Sequence, residues 1–278
     1  MTLPTFLGIG VPKAGTTWLY ELLISHPEIY IPDKLKDIRY FNRFYDQGPD
    51  WYQSFFPSLE EARNYRAIGE ITAHYLYNVN CPGRIARDLE KPKLLLMLRN
   101  PIDRTWSHYK HRARLDNYQG TFESYLEYDP NAIRFSFYSE NIKRFQTYFD
   151  NRQFLIMLFD RVFEDVDSTR DKIAEFLDID PRRFPKDSGS NIVNKGYIPR
   201  YRSLYAAVVT GANAARERRV YWPVSLAKKL GVKRLISVEG EKPKPMSEDT
   251  RHKLVEIFDQ EITDLEALLE TDLTHWRA

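Results

Sequence analysis

Lysine, glycine and threonine residues lie close together in the segment FLGIGVPKAGTTWL, residues 6–19. Gly15 lets the backbone turn tightly and approach a ligand, and Lys13 supplies a positive charge. Thr16 and Thr17 place hydroxyls and free amides at the start of the helix that follows. These residue types in this order are typical of a loop that binds a phosphate group.

A second segment that could do chemistry is KLLLMLRNPIDRTWSHY, residues 93–109. A buried strand is expected to end at Arg99, and Asn100-Pro101 interrupts it before a helix begins. An arginine there can hold a phosphate through two parallel hydrogen bonds, and Ser107 on the helix can add a hydroxyl. An arginine after a strand is more often a surface or ion-paired residue, so this interpretation depends on its pairing with the first loop.

Short apolar segments alternate with helical patterns along the chain, which predicts an α/β fold with a parallel sheet flanked by helices. The predicted strands are 5–9, 67–69, 93–98 and 154–159, and helices are predicted up to residue 25 and over 84–89, 104–115 and 168–177. Ligands bind beyond the carboxyl ends of the strands in open sheets of this kind. The Lys13 loop and Arg99 are therefore expected to meet in one crevice.

Composition narrows the class of protein. A chain of 278 residues with 42% hydrophobic residues can bury a full core, and we expect one domain over residues 1–278. A net charge of +2 creates no global field for nucleic acid or membrane, so an anion site must be local. The single cysteine, Cys81, excludes an internal disulfide and a cysteine-based metal cluster. With no leader and no apolar stretch of about 20 residues, we predict a soluble, cytoplasmic protein.

Both chemical segments resemble the signatures of sulfotransferases that use 3′-phosphoadenosine-5′-phosphosulfate (PAPS). The 5′-phosphosulfate signature PK-[SA]-GTTWL corresponds to residues 12–19, and the 3′-phosphate signature LRNP-x-x-R-x-x-S-x-Y corresponds to residues 98–109. Further similarity to the heparan sulfate and carbohydrate branch covers residues 37–42, 51–57 and 194–197 and the terminal DLTHW. The resemblance implies a P-loop-type fold and transfer of a sulfuryl group from PAPS to an acceptor hydroxyl.

The same resemblance implies roles for individual residues. Lys13 would neutralise charge on the bridging oxygen of the donor, and Asp37 would accept the proton of the acceptor hydroxyl. Asp37 stands where the carbohydrate branch usually has a longer glutamate, so the loop has to bring it closer. The implied donor-binding residues are Lys13, Ala14, Gly15, Thr16, Thr17, Trp18, Arg99, Ser107, Lys195, Gly196 and Tyr197. No metal is expected, because lysine, arginine and amide groups supply the positive field.

The acceptor side is less defined. Candidate acceptor-binding residues are Lys36, Arg39, Glu70 and His74. Either Glu70 or His74 could also assist or replace Asp37, while a glutamate in an ion pair and a structural histidine are the ordinary alternatives. Relatives have a lysine after this glutamate, whereas Ile71 stands here, so heparan sulfate does not follow as the acceptor. The helix predicted after Arg99 carries several basic residues, which we interpret as its solvent-facing side. They are Arg104, Lys110, Arg112 and Arg114.

Two other functions are compatible with the glycine loop. A P-loop kinase using ATP and magnesium would need the pattern G-x-x-x-x-G-K-[ST], but here Lys13 precedes Ala14-Gly15 and the threonines follow. A nucleotide-binding module without transfer activity is the other alternative. The expected partner is a small-molecule or carbohydrate acceptor and not nucleic acid, and the sequence leaves open the acceptor's identity, hydroxyl against amine transfer, and the oligomeric state.

Overall fold

A computed structural model describes residues 2–32, 36–116, 118, 120–190, 197–199, 237–239 and 246–278. Residues 114–116, 197–199 and 237–239 are described only as parts of a helix or strand. The predicted single domain over 1–278 stays a prediction.

Five parallel strands form the central sheet, in the order β2-β3-β1-β4-β5. Their bounds are Phe6–Gly10 (β1), Ile29–Tyr30 (β2), Ala67–Ile71 (β3), Lys93–Leu98 (β4) and Phe154–Leu158 (β5). The predicted parallel α/β fold is confirmed. The sequence pattern did not predict β2, because two residues are too few to show a period. The carboxyl ends of all five strands face the same edge of the sheet.

Helices surround this sheet. Their bounds are Thr16–Ile24 (α1), Pro49–Gln53 (α2), Leu59–Ala62 (α3), Cys81–Asp88 (α4), Pro101–Asp116 (α5), Phe122–Tyr128 (α6), Asn131–Arg134 (α7), Ser139–Gln146 (α8), Phe159–Glu164 (α9), Val166–Leu177 (α10) and Glu248–Leu269 (α11). Helices α4 and α5 begin before their predicted starts, because a proline in the first turn is compatible with a helix. A separate antiparallel pair joins Tyr197–Pro199 (β6) and Ser237–Glu239 (β7).

The two central strands are buried on both faces. Every residue of β1 is buried, and Leu94 to Leu98 of β4 are all 0% exposed. This explains why their apolar residues are continuous instead of alternating. Gly8 is required for the contact with β3, because a Cβ atom there would lie 2.7 Å from Cγ1 of Ile71. Close strand packing thus fixes β1, and with it the loop that follows.

Helix α11 closes one side of the core. The Ser247 side chain accepts a hydrogen bond from the Thr250 amide and so caps the first turn. Leu254, Phe258 and Leu265 are buried along one face.

Candidate active site

The loop between β1 and α1 adopts two left-handed backbone conformations. Lys13 has φ 75° and Gly15 has φ 93°. A Cβ atom on Gly15 would lie 2.9 Å from Cε of Met97 and 3.1 Å from the Phe159 ring, so this turn requires glycine. Within the described part of the chain, α1 has no side chain bonded to its first-turn amides at the cap. The first-turn amides of α1, with no side-chain bond at the cap, can therefore bind an anion.

Arg99 meets this loop from the end of β4. Its side chain is 21% exposed, and Nη1 lies 3.5 Å from the carbonyl oxygen of Lys13. The guanidinium lies over the Phe159 ring, 4.5 Å from its centroid, and Nη2 is 3.8 Å from Asp103 Oδ2. Burial lowers the pKa of Arg99, and Asp103 opposes that shift. The structure thus brings together the two segments that the sequence pattern placed in one crevice.

Three other predicted donor-binding residues have different surroundings. Ser107 is partly exposed on α5, about one turn beyond Asp103 in the same helix. Tyr197 begins β6, which lies against α5. Trp18 is 2% exposed, and its indole nitrogen donates to the Gly189 carbonyl at 2.8 Å, so this ring packs inside the wall of the site. Lys195 and Gly196 lie outside the described residues.

Asp37 lies near the start of α1, on a turn that precedes Arg39. Its amide donates to the Ile71 carbonyl at 2.9 Å, and its Oδ1 accepts from the Ala73 amide at 3.1 Å. Lys36 Nζ lies 3.4 Å from Asp37 Oδ2 and 3.4 Å from Thr16 Oγ1. The Asp37 side chain remains 28% exposed. The Lys36 ammonium thus lies between the Asp37 carboxylate and the Thr16 hydroxyl at the start of α1.

His74 lies on the same side of the crevice. Its Nδ1 is buried and has no hydrogen-bond partner among the described residues. Burial lowers the pKa of His74. The positive charges of Arg39, Lys36 and Lys13 lower this pKa further, whereas the negative charge of Asp37 raises it. The lowered pKa favours the neutral imidazole, which lies within the electrostatic reach of the Asp37 carboxylate and of the charges on Arg39, Lys36 and Lys13.

Glu70, by contrast, is enclosed. It is 1% exposed, and its carboxylate accepts hydrogen bonds from the hydroxyls of Tyr52, Thr72 and Tyr75. Burial raises the pKa of Glu70 to about 7. The negative charge of Asp37 raises this pKa as well, whereas the three hydroxyl donors lower it. A carboxylate occupied in this way does not face an acceptor, so the geometry favours a supporting role over acceptor binding.

The basic side of α5 is not wholly solvent-facing. Arg104 is 0% exposed, with Nε donating to Ser136 Oγ at 2.7 Å and Nη2 to the Ala132 carbonyl. The predicted solvent-facing position is wrong for Arg104, because the segment around α7 covers this helix. Arg112 is exposed, and Lys110 lies 5.5 Å from the Trp106 ring centroid. The side chain of Arg114 lies outside the described residues.

A short turn near the end of the chain supports the edge where β4 and β5 end. The Asn100 side chain donates to the Trp276 carbonyl at 2.9 Å. Asp160 Oδ2 contacts His275 Nε2 at 2.5 Å and the Trp276 indole nitrogen at 3.2 Å. These contacts join residues more than 100 positions apart, so no local pattern predicts them.

Two features are absent from the described ranges. No group of three or more His, Cys, Asp or Glu side chains there could hold a metal ion. No described helix combines the length and apolarity needed to cross a membrane. The predicted cytoplasmic location stays a prediction.

Comparison with known proteins identifies the family. The family model "Sulfotransferase domain" matches residues 3–219. The chain is 40% identical over 109 residues to "Membrane-associated sulfotransferase kil1" of Dictyostelium discoideum, covering 39% of this chain and 23% of that protein. It is 32% identical over 215 residues to "Bifunctional heparan sulfate N-deacetylase/N-sulfotransferase 2" of Bos taurus, covering 67% of this chain and 24% of that protein. The chain thus spans about a quarter of the length of these curated relatives.

A solved structure supports the fold. The "Crystal Structure of Sulfotransferase from Alicyclobacillus acidocaldarius" superimposes with a TM-score of 0.70 at 23% identity and covers 100% of both chains. The family match over most of the chain agrees with the two signatures that flank the crevice. This chain belongs to the sulfotransferase domain family.

Proposed function

We propose that this chain transfers a sulfuryl group from PAPS to a hydroxyl of an acceptor. The observation that carries this proposal is the contact between Arg99 Nη1 and the Lys13 carbonyl at 3.5 Å. It joins two anion-binding elements, the amides at the start of α1 and the guanidinium after β4, at one sheet edge. A nucleotide with one phosphate on the 5′ oxygen and one on the 3′ oxygen of its ribose could bind to both elements.

The residues present suit the donor's charge. The first-turn amides of α1 and the hydroxyls of Thr16 and Thr17 would bind the 5′-phosphate. Arg99 and Ser107 would bind the 3′-phosphate, for which the buried Arg99 Nε, without a partner among the described residues, offers a further donor. Lys195, Gly196 and Tyr197 complete the proposed donor site on the basis of the signature alone.

The transfer needs a base and a stabilised leaving group. Asp37 accepts the proton of the acceptor hydroxyl as the acceptor oxygen forms its bond to sulfur. Lys13 stabilises the negative charge that develops on the bridging oxygen. PAPS, when bound, supplies the activated sulfuryl group, whose bond to that oxygen breaks to leave adenosine 3′,5′-bisphosphate. The other product is a sulfate ester.

A carbohydrate is the acceptor class that we propose. Lys36 and Arg39 add positive charge beside Asp37, which suits an acceptor with anionic groups. The relatives named as N-sulfotransferases make an amine the second candidate for the acceptor group. Relatives carry a lysine at the position of Ile71, so heparan sulfate could not contact a lysine there in this chain.

Donor recognition can be tested by calorimetry. Adenosine 3′,5′-bisphosphate should bind at least tenfold more tightly than adenosine 5′-phosphate, since hydrogen bonds to a charged group contribute about 1.5–3 kcal/mol. Arg99→Ala should remove this difference. Magnesium-ATP should give the smaller thermal shift if the protein is not a kinase. Equal affinity for the two adenosine phosphates would contradict the proposal.

Transfer can be tested with radiolabelled PAPS and a panel of oligosaccharide hydroxyls, amino sugars, phenols and small alcohols. Lys13→Ala should lower turnover on the order of 10²-fold or more. Asp37→Asn should lower it by a similar factor and leave bisphosphate binding intact. Matched controls are Lys172→Ala and Asp171→Asn on the exposed side of α10. Normal turnover in Asp37→Asn would reject the assignment of the base, and tight bisphosphate binding without any sulfated product would indicate a binding module.

A further inference from the structure

A buried hydrogen-bonded network lies beneath the turn that carries Asp37. At its centre, Glu70 Oε1 accepts from the Tyr75 hydroxyl at 2.5 Å and the Tyr52 hydroxyl at 3.2 Å. Glu70 Oε2 accepts from the Thr72 hydroxyl at 2.7 Å. All three donors point their hydrogens at the carboxylate, so the arrangement suits its ionised form.

Thr72 connects this carboxylate to the turn. Its hydroxyl oxygen accepts a hydrogen bond from the Arg39 amide at 3.2 Å. Its own amide donates to the Gly8 carbonyl at 2.9 Å, which fixes the residue to β1. A hydroxyl has one hydrogen, and here it is committed to Glu70. The lone pairs of the Thr72 oxygen are therefore directed at Arg39.

The turn needs such support. Asp37 has φ 64° and Arg39 has φ 61°, two non-glycine residues in the left-handed region within three positions. Conformations of this kind persist only where surrounding contacts hold them. The holding contacts are the Asp37 amide to Ile71, the Ala73 amide to Asp37, and the Arg39 amide to Thr72.

We infer that Glu70 is a positioning residue for the transfer reaction, acting through the Thr72 hydroxyl to hold the turn that presents the Asp37 carboxylate. This inference deepens the proposed function, because the role of Asp37 as base comes from it. The positioning itself is a property of the protein without substrates and can be measured there.

The direction of the hydrogen bond between Glu70 and Thr72 depends on whether Glu70 carries a proton. A proton on Glu70 Oε2 would make Glu70 the donor to Thr72, and the freed hydroxyl hydrogen would then compete with the Arg39 amide. The titratable groups facing Glu70 are Tyr52, Tyr75 and Asp37, with Cys81 nearby on α4. Burial raises the pKa of Glu70 to about 7, so this reversal has its midpoint near neutral pH.

The first test needs no substrate. Assigned amide resonances of Arg39 and Ala73 should shift with pH in the native protein, with a midpoint near the Glu70 pKa of about 7. In Glu70→Gln, whose amide would donate to Thr72, that step should be absent. The Arg39 step should persist in Thr72→Ser and vanish in Thr72→Val. Identical Arg39 and Ala73 titrations in native protein and Glu70→Gln would overturn the inference, whether or not the protein transfers sulfate.

The second test is kinetic. Glu70→Gln and Thr72→Val should lower kcat about tenfold or more, since a small misplacement of a reacting group is costly, while the Kd for adenosine 3′,5′-bisphosphate stays unchanged. Thr72→Ser should restore kcat. Tyr75→Phe removes a donor that stabilises the ionised carboxylate, so the acidic limb of kcat should move to higher pH. A native kcat and pH profile in Glu70→Gln would refute the inference, whereas absence of turnover in the native protein would refute the proposed function and leave the resonance test to decide.

Discussion

Replacing Gly15 with alanine should destabilise both the fold and the donor site. At φ 93° an L residue is strained, which costs about 1–2 kcal/mol. The new Cβ would also lie 2.9 Å from Met97 Cε and 3.1 Å from the Phe159 ring. The methionine end can move, whereas the ring is held against Arg99, so overpacking adds about 1–2 kcal/mol. We expect a total loss of about 3 kcal/mol.

Urea unfolding of Gly15→Ala should show a lower midpoint with an unchanged slope, since only stability changes. Calorimetry should show at least tenfold weaker binding of adenosine 3′,5′-bisphosphate, because the displaced turn moves the α1 amides. The matched control is Gly83→Ala in α4, where a Cβ atom would meet Tyr148 at an ordinary 3.5 Å. That change should stabilise the protein by about 0.5 kcal/mol.

The outcome that refutes this reasoning is a Gly15→Ala protein with native stability and native bisphosphate affinity. It would mean that the turn tolerates a side chain, and that the approach of the backbone to the crevice does not depend on glycine. A loss of stability with native affinity would refute only the link between the turn and the donor site.

Three further predictions concern buried charges. Folding raises the pKa of Glu70 from 4.5 to about 7, so the unfolded carboxyl releases its proton at lower pH than the folded one. The free energy of unfolding of the native protein should therefore fall by about 3 kcal/mol relative to that of Glu70→Gln as pH rises through that interval. The same pH dependence of unfolding in the two proteins would contradict this prediction. Glu261 accepts from the Tyr138 and Ser139 amides and the Ser139 hydroxyl at 2.7–2.8 Å, so Glu261→Ala should cost about 3 kcal/mol in urea unfolding and Glu261→Gln less. Arg104→Lys should destabilise more than Arg104→Met, because a buried ammonium cannot replace the two guanidinium bonds, and equal midpoints would disprove this.

The meeting of the Lys13 loop with Arg99 could be predicted from the sequence because its information is local. The glycine, lysine and threonine residues of one loop are consecutive, and the strand before Arg99 is an unbroken apolar stretch. A parallel sheet then brings the two segments to one edge whatever the details of the loops. The resemblance added roles for these residues, which stay predictions until ligands are measured.

The acceptor side could not be predicted in the same way, because it depends on contacts between distant residues. Nothing near Thr72 in the sequence indicates that its hydroxyl meets the Arg39 amide, and nothing near Asn100 indicates Trp276. Arg104 shows the same limit, since a charged residue on a helix is ordinarily exposed. Its acceptors are a backbone carbonyl and a hydroxyl on a segment that local patterns did not define as a helix.

If the chain binds PAPS as proposed, the position of Phe159 has a consequence for nucleotide selectivity. Its ring fills the space beside Gly15 and also lies under the guanidinium of Arg99. The Phe159 ring thus lies next to both the turn at Gly15 and the Arg99 guanidinium, the two elements proposed to bind the donor's phosphates. A nucleotide with its second phosphate on the 2′ oxygen would carry the right total charge and still present it at the wrong span. On the proposed function, we expect the protein to distinguish such nucleotides by the distance between their two phosphates and not by the number of contacts.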